Sequence, residues 1–267
     1  MKSPANDRPK NNVPCRVDSP SPRPSPAGGE GDAPSAADSV RRYFATVPQQ
    51  WDALYSHESR LRYAVNRWLR SGLFRRYELT FERCGDLTGA RVLDVGCGTG
   101  RYSIECAKRG AGRVVGIDFA PSMIEFSRSV ARELQVDDVC QFLCDDFLAH
   151  PFDEAFDVVL ALGFFDYVRH PEPVLRKIAG LGPRTFVASY PRFTPFWGLQ
   201  RHVRYYWIRR CPIFNYTERQ LERLYHEAAF DSVDVVKSST GYVVAAGTHR
   251  AARRPKPKAS GPCVLRV

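Results

Sequence analysis

The stretch Val92-Leu93-Asp94-Val95-Gly96-Cys97-Gly98-Thr99-Gly100 decides the fold of this chain. A short apolar segment runs directly into three glycines at alternate positions. Glycine tolerates positive φ and presents bare backbone to a ligand. The residues that follow, 101–109, carry apolar side chains at helical spacing. A strand, a glycine turn and a helix in this order predict a nucleotide-type site at the carboxyl end of a parallel sheet.

Strands and helices alternate regularly after this stretch. The predicted strands are 91–96, 113–118, 139–144, 156–162, 185–190, 231–238 and 241–247. The predicted helices are 101–109, 122–134, 173–181 and 218–229, the last opened by a capping box at Thr217-Glu-Arg-Gln220. The final two strands are close enough for an antiparallel hairpin at the sheet edge. This pattern predicts an α/β fold with a doubly wound, Rossmann-like, seven-stranded and mainly parallel sheet.

The composition predicts one folded domain between two tails. The Pro- and Ser-rich residues 1–39 and the basic residues 249–267 are expected to be disordered. The tail 249–267 holds six of the basic charges, which leaves +4 of the total +10 for the rest of the chain. A surface this mildly basic gives no ground for a specific nucleic-acid partner. Neither a secretory signal nor a membrane helix is evident, so a cytoplasmic location is the default expectation.

The eight cysteines show no sign of a metal site or a disulfide framework. They include no Cys-x-x-Cys pair and no Cys/His cluster with zinc spacing. Cys140 and Cys144 share one side of a predicted strand without converging partners. We therefore expect reduced, mostly buried thiols and no metal ion.

The glycine spacing distinguishes between nucleotide cofactors. A dinucleotide fingerprint needs its third glycine where this chain has Arg101. Instead, Val92 to Gly100 closely resembles motif I of the class I S-adenosylmethionine-dependent methyltransferases, and the resemblance continues to Gly247. It implies S-adenosylmethionine as the cofactor and methyl transfer as the reaction.

The resemblance also implies roles for individual residues. Asp94 matches the acidic residue that faces the methionyl amino group, directly or through water. Asp118 matches the carboxylate that accepts both ribose hydroxyls, a role suited to an acceptor-only group. Asp146 matches the acceptor of the adenine amino group, and Asp145 is the alternative because the double aspartate leaves the register uncertain by one. The remaining cofactor positions are Gly96, Cys97, Gly98, Thr99, Gly100, Phe119, Phe147 (beside the base), and Leu162 with Gly163 (beside the methyl group).

The acceptor side is less well defined. Residues 40–85 are spaced for amphipathic helices, which we expect either to cover the ligand edge as a lid or to pack on its flank. The insert 191–216 after the fifth strand is expected to select the acceptor, because loops at this edge vary with function. Its aromatic residues favour a flat or lipophilic acceptor, and its arginines favour an acidic group on it or a peripheral membrane contact. An ordinary lid is the alternative.

A catalytic base is useful for an oxygen acceptor and unnecessary for a carboxylate or thiolate. The candidates are Asp166, Tyr167, His170 and His202. Tyr205 and Tyr206 lie in the same insert as His202.

Three functions compete. The first is methyl transfer to a small aromatic or lipophilic acceptor at oxygen. Residues 43–55 and 191–195 resemble parts of O-methyltransferases that act on magnesium protoporphyrin or quinone precursors. The second is nucleic-acid or protein methylation, raised by the basic tail, although no Asn/Asp-Pro-Pro-aromatic motif follows the fourth strand. The third is a non-catalytic, cofactor-binding partner subunit.

Overall fold

The computed structural model describes residues 71–192, 213–238 and 241–248. Several predictions fall outside these ranges, namely the tails 1–39 and 249–267, residues 40–70 of the N-terminal helices, and residues 193–212 of the insert with His202, Tyr205 and Tyr206. No helix in the described part is long and apolar enough to cross a membrane.

Seven strands form one sheet. They are β1 (Arg91–Val95), β2 (Arg113–Asp118), β3 (Cys140–Cys144), β4 (Val158–Ala161), β5 (Thr185–Pro191), β6 (Ser232–Lys237) and β7 (Gly241–Gly247). Their order is β3-β2-β1-β4-β5-β7-β6. The first five strands run parallel, while β7 is antiparallel to both β5 and β6. The predicted mainly parallel sheet with an antiparallel edge pair is therefore confirmed.

Local sequence sets the ends of the helices. The described helices are α1 (Ser71–Cys84), α2 (Arg101–Lys108), α3 (Pro121–Glu133), α4 (Glu172–Leu181) and α5 (Glu218–Glu227). Pro121 stands first in α3, where its missing N–H costs nothing. Gly182, at φ 65°, ends α4 in the left-handed conformation. Thr217 and Gln220 form the predicted capping box of α5.

Helices cover both faces of the sheet. On one face, α1, α2 and α3 pack on a core that includes Val92, Val114 and Val158. On the other, α4 and α5 pack on a core that includes Leu93 and Phe186. Strands buried on both faces explain the nearly continuous apolar runs in the sequence. Because α1 packs against β5 and β7, the described end of the N-terminal region takes the flank position.

The fourth strand is shorter than its apolar run predicts. The run 156–162 predicts a strand, but the residues paired with neighbouring strands are Val158–Ala161. Phe156 is 1% exposed and packs its ring edge-on against Phe152, so core packing rather than strand pairing accounts for its apolar character. The described cysteines agree with the expectation of mostly buried thiols. All five described cysteines are free thiols, and four of them are buried.

Candidate cofactor site at the carboxyl edge of the sheet

The predicted site residues converge where the strand order reverses. The chain builds the sheet outward from β1 to β3 and then crosses to the other side through β4. In open α/β sheets, ligands bind in the crevice outside the carboxyl ends of the strands at such a switch point. The glycine turn follows β1, Asp118 ends β2, Asp145 and Asp146 follow β3, and Gly163 lies two residues beyond β4.

The three glycines of the turn have different surroundings. All three have left-handed φ, 67° at Gly96, 52° at Gly98 and 75° at Gly100. A Cβ at Gly96 would lie 2.5 Å from the Phe164 ring, and one at Gly100 would lie 2.8 Å from Ser127 Cβ. At Gly98, no described atom outside its chain neighbours lies within 4 Å of that position. Gly98 therefore turns bare backbone toward open space, which fits the cofactor implied by the motif.

Asp118 fastens the glycine turn to the end of β2. Its Oδ2 accepts a hydrogen bond from the Gly98 N–H at 2.9 Å, and its Oδ1 accepts one from the Ala120 N–H at 2.9 Å. Burial raises the pKa of Asp118, and the backbone donors oppose that rise. A carboxylate offers about four lone-pair sites. Asp118 can thus hold the turn and still accept hydroxyl donors from a ligand.

Asp94 lies in the core of the sheet, with 2% of its surface exposed. The Ser103 hydroxyl donates to its Oδ2 at 2.7 Å. Burial raises the pKa of Asp94 from 3.8 to about 6, while hydrogen bonds from the Ser103 hydroxyl and backbone N–H oppose the rise. The carboxylate thereby accepts hydrogen bonds from the first turn of α2, where the N–H groups have no partners within the helix. Ser103 was not identified from the sequence, since a lone serine in a helix carries no signal of burial.

The two adjacent aspartates differ in their hydrogen bonds. Asp145 accepts the Asp146 N–H on Oδ1 at 2.8 Å, and its Oδ2 lies 2.8 Å from His150 Nδ1. Asp146 accepts the Leu148 N–H on Oδ1 at 2.7 Å. Both Asp145 oxygens and Asp146 Oδ1 thus hold the loop.

The other cofactor positions are spread between the core and the edge. Phe147 is 6% exposed and packs against Phe152 in the core, with ring centroids 5.8 Å apart. Cys97 is buried as well, and burial raises the pKa of its thiol. Thr99 and Phe119 are partly exposed beside the turn.

On the β4–β5 side, one hydrogen bond joins the ends of the two strands. The Gly163 N–H donates to the buried Ser189 hydroxyl at 2.8 Å, next to Leu162, which is 8% exposed. Arg76 of α1 reaches this point, since its Nη1 would lie 3.6 Å from a Cβ at Gly163. Ser189 is a second residue that the sequence did not identify.

Beyond Gly163, a cluster of aromatic rings supports the edge. The Phe165 ring stacks on Tyr190 with centroids 4.6 Å apart. The Tyr190 and Tyr225 hydroxyls lie 3.0 Å apart in the core. The Tyr216 hydroxyl donates to the Val168 carbonyl at 2.8 Å. The cluster ties the end of the insert to the chain that follows β4.

The candidate bases lie in different environments. Asp166, in the 3₁₀ turn Phe165–Tyr167, is 9% exposed. Burial raises the pKa of Tyr216, and the charge of Asp166 adds to that rise. Tyr167 is partly exposed and His170 is exposed. His202 lies outside the described residues.

Comparison with known proteins shows that this chain is similar to methyl-transferring enzymes. A family model described as "Methyltransferase domain" matches residues 86–192, which contain β1 to β5. Demethylmenaquinone methyltransferase of Lactococcus lactis subsp. lactis (strain IL1403) is 26% identical over 207 residues, 68% of this chain and 80% of that protein. Magnesium-protoporphyrin O-methyltransferase of Rhodobacter capsulatus is 34% identical over 152 residues, 56% of this chain and 65% of that protein.

A solved structure has the same fold. The crystal structure of magnesium protoporphyrin IX methyltransferase from Synechocystis PCC 6803 with bound SAH matches with a TM-score of 0.62 and 19% identity. The match covers 80% of this chain and 100% of that chain. At this identity the likeness concerns the fold, which includes the sheet and its carboxyl edge.

Proposed function

We propose that this chain, which belongs to the class I S-adenosylmethionine-dependent methyltransferases, methylates an oxygen atom of a small aromatic or lipophilic acceptor. The observation that carries the proposal is the position of Phe164. Its ring lies against the Gly96 backbone at the carboxyl end of β4 and remains partly exposed. An apolar ring thus borders the glycine turn on the side where the acceptor would stand.

The described residues fit the cofactor, which supplies an activated methyl group on a sulfonium. The cofactor would lie against the Gly98 backbone, and Asp118 would accept hydrogen bonds from the ribose hydroxyls. Asp94 would face the amino group, and Asp146 would accept the adenine amino group. The remaining task of the protein is to hold the acceptor atom in line, roughly 3–3.5 Å from the methyl group, and to exclude water.

The names of the relatives support the acceptor class. Two of them are named for demethylmenaquinone and magnesium protoporphyrin, and the second is an O-methyltransferase. Positive charge on the acceptor side supports an acidic group on the acceptor, because guanidinium groups pair well with carboxylates. Arg76 lies beside Gly163, and Arg192 directly follows β5. The membrane contact proposed for 191–216 rests on the sequence of the insert.

A screen for labelled product tests this proposal. The purified chain is incubated with S-adenosylmethionine carrying a labelled methyl group and with phenols, quinone precursors or porphyrin carboxylates. We expect label in at least one of these acceptors. Alkaline hydrolysis then separates a methyl ester, which is cleaved, from an aryl ether, which is not. The Asp118→Ala protein, lacking the proposed ribose acceptor, is the control for enzyme-dependent transfer.

Other outcomes would contradict the proposal. Label found in nucleic acid or protein of a cell extract, and in no small molecule, would favour the second function. Binding of S-adenosylhomocysteine without any labelled product, in the panel or in an extract that includes lipids, would favour a non-catalytic partner subunit.

A further inference from the structure

Lys177 of α4 reaches the loop that follows β3. Its Nζ lies 2.6 Å from the Phe147 carbonyl oxygen, 3.0 Å from that of Leu148 and 2.6 Å from that of His150. A lysine ammonium has three N–H donors and no acceptor. The three carbonyl contacts therefore use its full donor capacity.

The loop needs such a donor because it is a single helical turn. The N–H groups of Ala149 and His150 donate to the Asp146 carbonyl at 3.1 and 2.9 Å. The carbonyl groups at the end of a helical turn lack partners within it, and a cation there is favoured by the peptide dipoles. Lys177 supplies this cation from 27 to 30 residues away in sequence.

Two aromatic rings lie near the same ammonium, and the charges of two carboxylates act on it. Its Nζ lies 5.0 Å from the Phe147 ring centroid and 5.3 Å from that of Phe152, within the range of cation–π attraction. Burial lowers the pKa of Lys177, whereas the charges of Asp146 and Asp145 raise it. The ammonium thus binds the backbone of the loop and attracts the two carboxylates at its start.

We propose that Lys177 is a positioning residue for the adenine end of S-adenosylmethionine. By holding the turn 146–150, it keeps the Asp146 carboxylate where it can accept the adenine amino group. This inference rests on the role proposed above for Asp146. Lys177 itself acts through the loop, because its donors are used by the three carbonyl groups.

The test compares two ligands that differ at the base. S-adenosylhomocysteine carries the 6-amino group, and S-inosylhomocysteine carries an oxygen in its place. We expect the wild-type protein to prefer the first. Lys177→Met keeps an unbranched stem without the ammonium, and we expect it to weaken S-adenosylhomocysteine binding about tenfold or more and to lose most of the preference.

Two further variants control for charge and shape. Arg176→Met removes a positive charge from the exposed neighbouring position of the same helix, and we expect both affinities to stay within about twofold of wild type. Lys177→Arg should restore only part of the preference, since a flat guanidinium is poorly shaped for three converging carbonyls. If Lys177→Met does not fold, the ratio of the two affinities is measured in Lys177→Gln and Lys177→Arg.

The ratio of the two ligand affinities distinguishes a positioning role of Lys177 from a general contribution to stability. A merely structural role would lower the melting temperature and leave the preference for the amino group unchanged, and that result would overturn the inference while leaving the role of Asp146 intact. A wild-type protein without any preference would overturn both the role of Asp146 and the inference built on it. Loss of preference in Lys177→Met together with an unchanged ratio in Arg176→Met would support both.

Discussion

On the β1–β3 side of the carboxyl edge, hydrogen bonds to carboxylates hold the chain, whereas on the β4–β5 side packed rings hold most of it. Gly98 donates to Asp118, and Ser103 donates to Asp94. Across the edge, Tyr190 packs against Phe165 and Tyr216 with ring centroids 4.6 and 5.0 Å apart. Hydrogen bonds need particular atoms at particular places, while rings tolerate exchange for others of similar volume. The first half is therefore suited to one unchanging cofactor, and the second can vary with the acceptor.

The largest effect should come from Asp118→Ala. The variant loses the acceptor for the Gly98 and Ala120 N–H groups and for the ribose hydroxyls. We expect S-adenosylhomocysteine affinity to fall about 100-fold or more, because hydrogen bonds to a charged group contribute about 1.5–3 kcal/mol each. Isothermal calorimetry measures the affinity, and Asp138→Ala, at an exposed position, is the control. Unchanged affinity in Asp118→Ala would contradict this view of the two sides, since the β1–β3 side would then not hold the cofactor.

Substitutions within the glycine turn should separate binding from folding. In Gly98→Ala the added methyl group meets open space, so the cost to folding is about 1–2 kcal/mol from the left-handed φ alone. We expect the S-adenosylhomocysteine affinity to fall about tenfold because the methyl occupies ligand space. Gly100→Ala puts its methyl 2.8 Å from Ser127 Cβ and 2.9 Å from the Phe142 ring, so it should lower stability further, by about 1–3 kcal/mol more.

Chemical denaturation and calorimetry on both glycine variants distinguish these effects. An equal loss of stability in the two variants, with equal affinities, would mean that Gly98 serves packing as Gly100 does. That outcome would contradict the proposal that the cofactor lies against the Gly98 backbone.

The burial of Asp94 predicts a pH effect. Burial raises the pKa of Asp94 from 3.8 to about 6. The protonated Asp94 carboxyl therefore stabilises the fold by about 3 kcal/mol below about pH 4, relative to high pH. This contribution is lost as the pH rises through about 6. Because the ionised carboxylate would face the cofactor's amino group, affinity for S-adenosylhomocysteine should rise several-fold as the pH rises through about 6.

Variants at the two positions sharpen this prediction. Ser103→Ala removes a donor that lowers the pKa of Asp94, so the midpoint of the affinity profile should move to higher pH. Asp94→Asn should abolish the dependence near pH 6. A wild-type midpoint that persists in Asp94→Asn would assign the titration to another group.

The smallest effect on binding is expected from the tyrosine pair on the other side. Tyr190→Phe or Tyr225→Phe leaves one buried hydroxyl without its partner at 3.0 Å, which should cost about 1–3 kcal/mol of stability. The double variant removes both hydroxyls and should be less destabilised than the sum of the single changes. S-adenosylhomocysteine affinity should stay within about twofold throughout. A large loss of affinity would show that the two halves of the edge are coupled.

The features that could be predicted from the sequence are those with a local pattern. Strand ends follow the apolar runs to within two residues, and the glycine turn precedes its helix as expected. The capping box at Thr217 was evident because its two partners are three residues apart. Each of these features depends on neighbours in the chain, which periodicity records directly.

Contacts between distant residues left no such pattern. Lys177 meets Phe147 across 30 residues, and Gly163 meets Ser189 across 26. The choice between Asp145 and Asp146 depends on the direction of each side chain, which two adjacent letters of the sequence cannot convey. The sequence also did not show that Phe147 packs in the core, because an aromatic residue beside a predicted site can belong either to the site or to the core.

The position of β7 has a consequence for how the protein is made. This strand follows β6 in the chain but lies between β5 and β6, and it pairs with both. A growing polypeptide that has reached Lys237 cannot yet attach β6 to the sheet, and β5 still presents an open edge of unpaired backbone groups. Such an edge is a template for pairing with another chain. Completion of the sheet therefore waits for residues 241–247, and until they pair with β5 its open edge is a site at which nascent chains can associate.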